Sequence, residues 1–356
     1  MTVSLCMIVK DEETVLARCL DSVKDCTDEI IIVDTGSTDG TVGLARRYTD
    51  RVYSFPWKDD FSAARNFAFS KAKCDYLLWL DADDRISPDS ADGLLALKSE
   101  LDTARPDIVF CPYDAAFDSE GKPTLTYYRE RLIRREANLR FVGRVHECIP
   151  PQGKTLYADC RVSHLGSPKP RGMRNLHIYQ RWAGEETLGG RDLFYYGREL
   201  YYHKLYTESV AVLEEMLAGE GWYVNKIEAC KILARCHREC GRPERAYGAL
   251  LRSFLYGEPR ASLLCEIGNL LKSLNRMREA AYWYEAALAC RDHSEEGDFE
   301  EPACKDLIPM LELTCCYFAL DERDTALEWH ERAKERFPSH PSVLYNDSFF
   351  ATLRQP

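Results

Sequence analysis

The stretch Tyr76-Leu77-Leu78-Trp79-Leu80-Asp81-Ala82-Asp83-Asp84 decides the fold, because a short apolar run ends there in a cluster of carboxylates. Aromatic and aliphatic residues in such a run predict a buried strand. Carboxylates crowded at the end of a strand repel one another unless a positive charge neutralises them. A hard divalent cation prefers oxygen ligands and keeps water and phosphate oxygens in its shell. The stretch therefore predicts a strand with a cation site at its carboxyl end, although a solvated acidic turn explains the same residues.

Two earlier apolar runs end in the same way. Residues 29–33 are almost continuously apolar, as expected for a parallel strand covered on both faces, and they lead into a polar turn. Short apolar runs that alternate with helical patterns predict a parallel sheet whose ligand binds at the carboxyl ends of the strands. The strands are predicted at 3–9, 29–33, 51–54 and 76–80, the helices at 15–23, from about 41 and at 62–73, and the polar clusters that meet at one edge are 10–13, 34–39 and 81–84.

Four motifs occur in order along this part of the chain: Met7-Ile8-Val9-Lys10-Asp11-Glu12, Ile32-Val33-Asp34-Thr35-Gly36-Ser37-Thr38-Asp39-Gly40-Thr41, Phe61-Ser62-Ala63-Ala64-Arg65-Asn66 and Leu80-Asp81-Ala82-Asp83-Asp84. Together they make residues 2 to about 100 resemble the catalytic domain of family 2 glycosyltransferases, which have the GT-A fold. Relatives with a C-terminal tetratricopeptide segment include sublancin-type peptide S-glycosyltransferases and lipopolysaccharide-core glucosyltransferases. The resemblance implies an inverting enzyme that uses a UDP-sugar donor with Mn²⁺ or Mg²⁺.

Composition favours a large cytoplasmic enzyme. The chain has 356 residues and a formal charge of −11, which disfavours nucleic acid or an anionic membrane surface as the main partner. No apolar run is long enough to span a bilayer, and the N-terminus lacks the pattern of a signal peptide. The 15 cysteines show no Cys-x-x-Cys spacing, and most lie in apolar helical patterns. We interpret them as reduced core residues in a reducing compartment.

The character of the sequence changes after Pro170, where strand patterns stop and amphipathic helices recur. Small residues spaced by 12 positions mark antiparallel helices that approach closely, as in tetratricopeptide repeats. An acidic insertion at 292–301 is predicted to be an exposed loop, and generic helical packing is the alternative for the whole pattern. The spaced pairs are Gly197/Ser209, Ala234/Ala246, Gly268/Ala280 and Thr314/Ala326.

The expected fold class is α/β followed by all-α. Residues 1–170 are predicted to form a GT-A domain with a Rossmann-like, mostly parallel sheet, and residues 191–356 a tetratricopeptide-like helical repeat domain. Residues 171–190 are predicted to form a linker with a basic lid. Helical repeats commonly present a concave surface to an extended peptide, which favours a peptide or protein acceptor, and homodimerisation is the alternative use of the array.

The resemblance also implies roles for the strand-end residues. The backbone around Met7 and Val9 would line the nucleobase, and Asp34 would accept a hydrogen bond from it. Arg65 would approach the base or the diphosphate. A turn residue is the alternative for Asp34, and a surface ion pair is the alternative for Arg65.

Two carboxylates of the acidic cluster receive different roles. Asp83 is the expected metal ligand, and Asp81 is expected nearer the ribose or a metal-bound water. The metal would neutralise charge on the departing nucleoside diphosphate. Asp84 is interpreted as a turn residue.

The proton acceptor is expected in the second half of the domain. The segment Val145-His146-Glu147 resembles a motif of the relatives, and it makes Glu147 the candidate catalytic base, with Asp114 in reserve. An ion pair of Glu147 with Arg144 or Arg134 that holds the sheet edge is an equal alternative. A Cys acceptor would need less help from a base, because thiolate forms readily near neutral pH.

Basic residues follow a histidine late in the domain. His164 matches a family histidine that reaches the metal or the diphosphate, with a structural role as the alternative. Lys169, Arg171 and Arg174 are expected to form a basic lid that excludes water from the pyrophosphate, or else a solvated linker.

The sequence therefore predicts metal-dependent transfer from a UDP-sugar to a Ser, Thr or Cys side chain of a peptide or protein. A saccharide or lipopolysaccharide-core acceptor is the first alternative. A non-catalytic repeat scaffold with a vestigial transferase domain is the alternative from another class.

Overall fold

The apolar runs of the N-terminal half form a central sheet in the computed structural model, which describes residues 1–118, 121–166, 172–291 and 301–353. The chain divides into two units, Met1–Glu186 and Thr187–Pro356. The strands of the first unit are β1 Val3–Val9, β2 Glu29–Asp34, β3 Val52–Ser54, β4 Tyr76–Trp79, β5 Asp84–Ile86, β6 Ile108–Phe117, β7 Pro123–Arg134, β8 Thr155–Tyr157 and β9 Val162–His164. Its helices are α1 Leu16–Val23, α2 Thr41–Ala45, α3 Phe61–Lys71, α4 Pro88–Ala104 and α5 Arg174–Glu185.

The described strands run in the order β3-β2-β1-β4-β7-β6-β9-β5, and β8 pairs with β6. The first four strands are parallel, whereas β7 is antiparallel to both β4 and β6. The predicted α/β fold with a mostly parallel sheet is confirmed. The antiparallel β6–β7 hairpin is much longer than the parallel strands.

The register of the central strands brings their carboxyl ends to one edge. Val9 lies beside Asp34, and Cys6 lies beside Trp79, the last residue of β4. The polar residues that follow each strand therefore emerge from the same edge of the sheet, as the alternation of strands and helices predicts.

Helices cover both faces of the sheet. Leu20 of α1 and Leu101 of α4 are buried in the apolar core on one face, and Phe69 of α3 is buried in the core on the other. Burial of each such side chain contributes about 1.5–3 kcal/mol. The continuous hydrophobicity of β1, β2 and β4 follows from this double cover.

Residues 174–185, which we expected in a linker, form helix α5 within the first unit. Leu176, Tyr179 and Trp182 recur at helical spacing and are buried, so the helix gains apolar contacts that a linker would lack. The lid residues Lys169 and Arg171 lie outside the described residues.

The described part of the second unit is helical, and its first eight α-helices form four consecutive pairs. The residues chosen for their small size are buried where the paired helices meet, and the Ser209 hydroxyl donates to the Gly197 carbonyl at 2.8 Å. The predicted tetratricopeptide-like architecture is confirmed. The acidic insertion predicted to be a loop lies outside the described residues except for Glu301. The helices are α6 Gly190–Tyr202, α7 Tyr206–Ala218, α8 Tyr223–Glu239, α9 Pro243–Arg252, α10 Ala261–Ser273, α11 Met277–Leu288, α12 Leu307–Ala319, α13 Arg323–Arg336 and α14 Pro341–Leu353.

Within the described ranges, no helix is both long and apolar enough to cross a membrane. All 15 cysteines are free thiols, and most of them are buried.

Candidate active site

A cavity of about 560 Å³ opens at the carboxyl edge of the sheet. Its lining includes residues from all three polar clusters predicted at the strand ends, 10–13, 34–39 and 81–84. The predicted site residues that line it are Val9, Arg65, Asp81, Asp83, Glu147, His164 and Arg174. The predicted residues Met7, Asp34 and Asp114 are not among its lining residues.

Arg65 of α3 connects two acidic residues of the cavity. Its Nε donates to Glu147 at 2.5 Å, and its Nη2 donates to Asp81 at 2.6 Å. The guanidinium lies over the Trp79 ring, 4.5 Å from the centroid, and the residue is only 6% exposed. The surface ion pair that we considered for Arg65 is therefore wrong, because its carboxylate partners belong to the cavity.

The neighbouring carboxylates Asp81 and Asp83 differ in charge environment. Burial tends to raise the pKa of Asp81, but the charges of Arg65 and Arg131 outweigh burial and hold that pKa below its usual range. Burial raises the pKa of Asp83. The negative charges of Asp81 and Asp84 also raise it, whereas the positive charge of His164 lowers it. Asp83 is therefore the carboxylate that a cation would stabilise most.

Asp83, Asp84 and His164 form a cluster with the donor set of a metal site. One ligand atom from each residue lies within 4.8 Å of the other two, and such a group occurs nowhere else among the described residues. Two carboxylates and an imidazole suit Mn²⁺, and the oxygen ligands suit Mg²⁺. The uncompensated charge at Asp83 and this donor set fit a divalent cation.

His164 stands on β9, next to the acidic loop. Its Nδ1 lies 3.3 Å from Asp84 and 3.5 Å from Asp83. The hydrogen bond to Asp84 raises the pKa of His164, burial opposes this, and the charges of the three aspartates add to the increase. The structure thus brings together the histidine and the carboxylates that the resemblance paired.

Glu147 belongs to the irregular segment between β7 and β8. The preceding residue, His146, adopts φ 52° and also lines the cavity. A positive φ is uncommon for a residue with a side chain, and such residues cluster at functional sites. Glu147 pairs with neither of the arginines that we considered, since Arg144 pairs with Glu185 and Glu186, and Arg134 pairs with Asp107.

Helix α5 holds this segment in place. The Tyr179 hydroxyl donates to the Val145 carbonyl at 3.2 Å, next to His146 and Glu147 in the chain. At the start of the helix, the guanidinium of Arg174 lies 4.7 Å from the centroid of Phe61, and Asn175 joins the cavity wall. Arg174 therefore lines the cavity from the first residue of a helix.

Asp34 and Met7 support the cavity from behind. The Asp34 carboxylate accepts hydrogen bonds from the amides of Gly36 and Ser37 at 3.1–3.3 Å, as the turn alternative predicts. The Met7 side chain is fully buried in the core, while Val9 and Thr35 face the cavity.

Asp114 is set apart from the cavity lining. It is 1% exposed, and its Oδ1 accepts hydrogen bonds from Thr126 and Arg161, both at 2.6 Å. These hydrogen bonds account for its burial, and we interpret Asp114 as a structural carboxylate of the β6–β7 hairpin.

Sequence reasoning missed two residues of the cavity wall, Trp57 and Arg129. The indole N–H of Trp57 donates to Asp59 at 2.8 Å, and its ring packs edge-on against Phe61 at 4.8 Å. A tryptophan in a loop directly after a parallel strand is a usable signal, because such loops lie at the ligand edge. Arg129 comes from the β6–β7 hairpin, and no sequence motif indicates that this hairpin reaches the edge of the sheet where the cavity lies.

Comparison with known proteins gives matches to the first unit and beyond. Residues 4–154 match the family described as Glycosyl transferase family 2. The TPR repeat-containing protein Synpcc7942_0270 of Synechococcus elongatus is 40% identical over 152 residues, 41% of this chain and 35% of that protein. The SPbeta prophage-derived glycosyltransferase SunS of Bacillus subtilis is 28% identical over 212 residues, 56% of this chain and 49% of that protein.

The Lipopolysaccharide core biosynthesis glycosyltransferase LpsC of Rhizobium meliloti is 32% identical over 164 residues, 43% of this chain and 58% of that protein. The chain thus spans between 35% and 58% of the length of these three relatives. The matches confirm the resemblance to family 2 glycosyltransferases that the four motifs indicate.

Proposed function

We propose that this chain, which carries a glycosyl transferase family 2 domain over residues 4–154, transfers a sugar from a UDP-sugar to a Ser, Thr or Cys side chain of a peptide or protein. The proposed reaction is metal-dependent and inverts the anomeric carbon. The observation that carries the proposal is the convergence of Arg65, Asp81, Asp83, Glu147 and His164 on one cavity at the carboxyl edge of the sheet.

The donor would bind across the strand ends. The backbone at Val9 lines the nucleobase in this proposal, with Met7 and Asp34 shaping the wall behind it. Arg65 and Arg174 supply positive charge for the diphosphate, and Asp81 accepts from the ribose hydroxyls. Since Arg65 is already held by two carboxylates, it is preorganised and does not have to move when the donor arrives.

Asp83 and His164 would hold Mn²⁺ or Mg²⁺. When bound, the ion supplies charge neutralisation for the departing nucleoside diphosphate. The raised pKa of Asp83 supports this assignment, because burial, together with the negative charges of Asp81 and Asp84, disfavours the ionised carboxylate that a bound cation would stabilise.

Glu147 is the proposed general base. It would accept the proton of the acceptor hydroxyl or thiol while the acceptor atom bonds to the anomeric carbon from the face opposite the departing UDP. Arg65 orients Glu147 through the 2.5 Å hydrogen bond from its Nε. Asp114 is the weaker choice for this role because it faces Thr126 and Arg161 and does not line the cavity.

The repeat unit supports a peptide acceptor, since antiparallel helix pairs of this type present extended surfaces to peptides. A saccharide acceptor is the second candidate, favoured by the similarity to a relative named for lipopolysaccharide core biosynthesis. Homodimerisation is the other use proposed for the repeats. The free thiols support a reducing, cytoplasmic compartment.

UDP release from a panel of UDP-sugars, with Mn²⁺ or with a chelator, tests the donor and the metal. We expect slow release with one donor, lost on chelation and in Asp83→Asn but kept in Asp92→Asn, an exposed aspartate of α4. Failure to bind UDP would overturn the donor assignment.

Mass spectrometry of Ser, Thr and Cys peptides beside a saccharide acceptor then tests the acceptor. A sugar adduct on a peptide supports the proposal, and a product only on the saccharide favours the second candidate. UDP binding without turnover on any acceptor would favour a non-catalytic scaffold.

A further inference from the structure

Asp84 is a fully buried carboxylate whose oxygens are all engaged. Its Oδ2 accepts from the Asp81 amide at 3.0 Å and lies 3.2 Å from Nη1 of Arg131. Its Oδ1 accepts from the Tyr113 hydroxyl at 3.3 Å and lies 3.3 Å from Nδ1 of His164. The residue is 0% exposed.

These four contacts leave Asp84 no room for a cation. An ionised carboxylate offers about four acceptor positions, and each oxygen of Asp84 already has two partners. Its charge is also neutralised, because the guanidinium of Arg131 is equally buried beside it. Asp83, with its side chain partly exposed in the cavity, has neither restriction.

Arg131 is the guanidinium that pairs with Asp84. It is 0% exposed, and it lies between the rings of Trp79 at 4.1 Å and Tyr113 at 4.5 Å. Its Nη1 also donates to the Trp79 carbonyl, but its Nε and Nη2 have no hydrogen-bond partner within the described ranges. A buried ion pair with unsatisfied donors is a poor source of stability, which points to a role at the site.

The contacts of Asp84 fix the proton on the His164 ring. A carboxylate paired with a guanidinium is ionised and only accepts, so the imidazole nitrogen beside it must carry a hydrogen. That nitrogen is Nδ1, which faces Asp84 and Asp83. In the neutral ring the lone pair is then on Nε2, for which the described residues provide no hydrogen-bond partner.

We propose that Asp84, held by Arg131, is a positioning residue that fixes the Nδ1–H tautomer of His164 and leaves Nε2 as the nitrogen available to the cation that Asp83 binds. The cation would thus have two protein ligands and not three, and the remaining positions would be open to phosphate oxygens and water. The proposal rests on the metal dependence of the proposed function. Histidines that bind metals commonly donate their other N–H to a carboxylate, which sets the tautomer.

The first test reads the tautomer directly in the unmodified protein. Long-range ¹H–¹⁵N correlation spectra of protein labelled on histidine nitrogens separate the two neutral tautomers, and His164→Gln assigns the signal. The spectra are recorded above the raised pKa of His164, where the ring is neutral. We expect the neutral His164 to carry its proton on Nδ1 in the absence of metal, and its Nε2 resonance to shift when Mg²⁺ and UDP are added. A proton on Nε2, or a metal-induced shift at Nδ1, would overturn the proposal.

A double-mutant cycle on Mn²⁺ affinity separates a positioning residue from a ligand. Free Mn²⁺ can be counted by electron paramagnetic resonance in the presence of UDP. We expect Asp84→Asn to weaken Mn²⁺ binding by about 10–100-fold, as is typical when the partner of a metal-bound histidine is lost. In the His164→Ala background the same change should cost less than about twofold, because Asp84 acts only through the histidine.

Additive losses in the cycle would show that Asp84 is itself a ligand and would overturn the proposal. Asp83→Asn serves as the matched control, and its loss should add to that of Asp84→Asn. If the unmodified protein binds no Mn²⁺ with UDP, both the metal dependence and the ligand role of Nε2 fail. The opposite tautomer with Mn²⁺ binding intact would overturn the positioning role alone.

Discussion

Arg65 and Glu147 form a buried ion pair across 82 positions of sequence, with the Arg65 Nε 2.5 Å from the Glu147 carboxylate. The same guanidinium binds Asp81, so one arginine fixes a residue of the acidic loop relative to the proposed base. Removing one partner of a buried pair leaves an uncompensated charge.

We therefore expect Arg65→Met to lower the free energy of unfolding by about 3–5 kcal/mol. Arg278→Met is the matched control, because the side chain of Arg278 is 68% exposed in its pair with Glu322. The control should cost less than about 1 kcal/mol. Urea titrations of both variants measure the difference. Equal losses in the two variants would show that the buried pair at Arg65 contributes no more to the free energy of unfolding than an exposed pair does.

Glu147→Gln tests the proposed base. The amide cannot take a proton, so transfer to a hydroxyl acceptor should fall by about 10²–10⁴-fold while UDP-sugar binding changes much less. Transfer to a thiol should fall less, because the thiolate forms without help. Asp114→Asn is the control, since Asp114 is buried away from the cavity lining. A larger loss of transfer rate in Asp114→Asn than in Glu147→Gln would reverse the assignment.

The sequence predicts the parallel half of the sheet and its ligand edge because both follow from local pattern. Continuous apolar runs identify β1, β2 and β4, and the polar residues after them must meet when the strands are parallel. That reasoning found Asp81 and Asp83 for the cavity, whereas Arg65 was found through the family resemblance of the motif at residues 61–66. The small residues at 12-residue spacing likewise identified the helix pairs, since close helix approach is a local requirement.

What the sequence did not show depends on contacts between distant segments. Arg131 and Asp84 are separated by a helix and a strand, and only the antiparallel hairpin brings the guanidinium to the carboxylate. Read alone, Asp84 is one more acidic residue of a turn. Helix α5 was missed because its polar residues and the preceding basic run resembled a linker, although Tyr179 and Trp182 hold the helix spacing.

Trp57→Ala tests whether the aromatic wall of the cavity takes part in donor binding. The ring is fixed through its N–H bond to Asp59 and its contact with Phe61, so it needs no reordering when a base or sugar stacks on it. We expect donor affinity to fall by roughly tenfold, about 1.4 kcal/mol. Trp222→Ala, an exposed tryptophan of the second unit, should leave it unchanged. Calorimetric titration with UDP-sugar decides, and equal affinities in both variants would remove Trp57 from the site.

Gly268→Ala tests the close approach of α10 and α11. A Cβ at Gly268 would lie 2.7 Å from the ring of Tyr284, which is fully buried and donates from its hydroxyl to Asn269. Because that ring cannot swing away, we expect a loss of about 1–3 kcal/mol in the free energy of unfolding. Gly248→Ala on α9 meets nothing within 4 Å and should instead stabilise the protein by up to about 1 kcal/mol. Thermal or urea unfolding that gave both variants the same sign would contradict this packing.

Buried thiols make stability fall at high pH. Burial raises the pKa of Cys160 to about 11 and that of Cys230 to about 12, from a usual value of 9.0. Above pH 9 these thiols ionise in the unfolded chain but stay neutral in the folded one. Their contribution is therefore fully present below about pH 9 and is lost as the pH rises through the folded-state pKa.

Each such thiol should lower the free energy of unfolding by about 1.4 kcal/mol per pH unit in that window. For Cys230 the window runs from pH 9 to about 12. Urea titrations between pH 8 and about 10.5 should show the decline. Cys230→Ala should make the decline shallower by about 1.4 kcal/mol per pH unit, independent of its effect on stability at pH 8. Equal slopes for Cys230→Ala and the unmodified protein would mean that Cys230 ionises as readily in the folded chain as in the unfolded one.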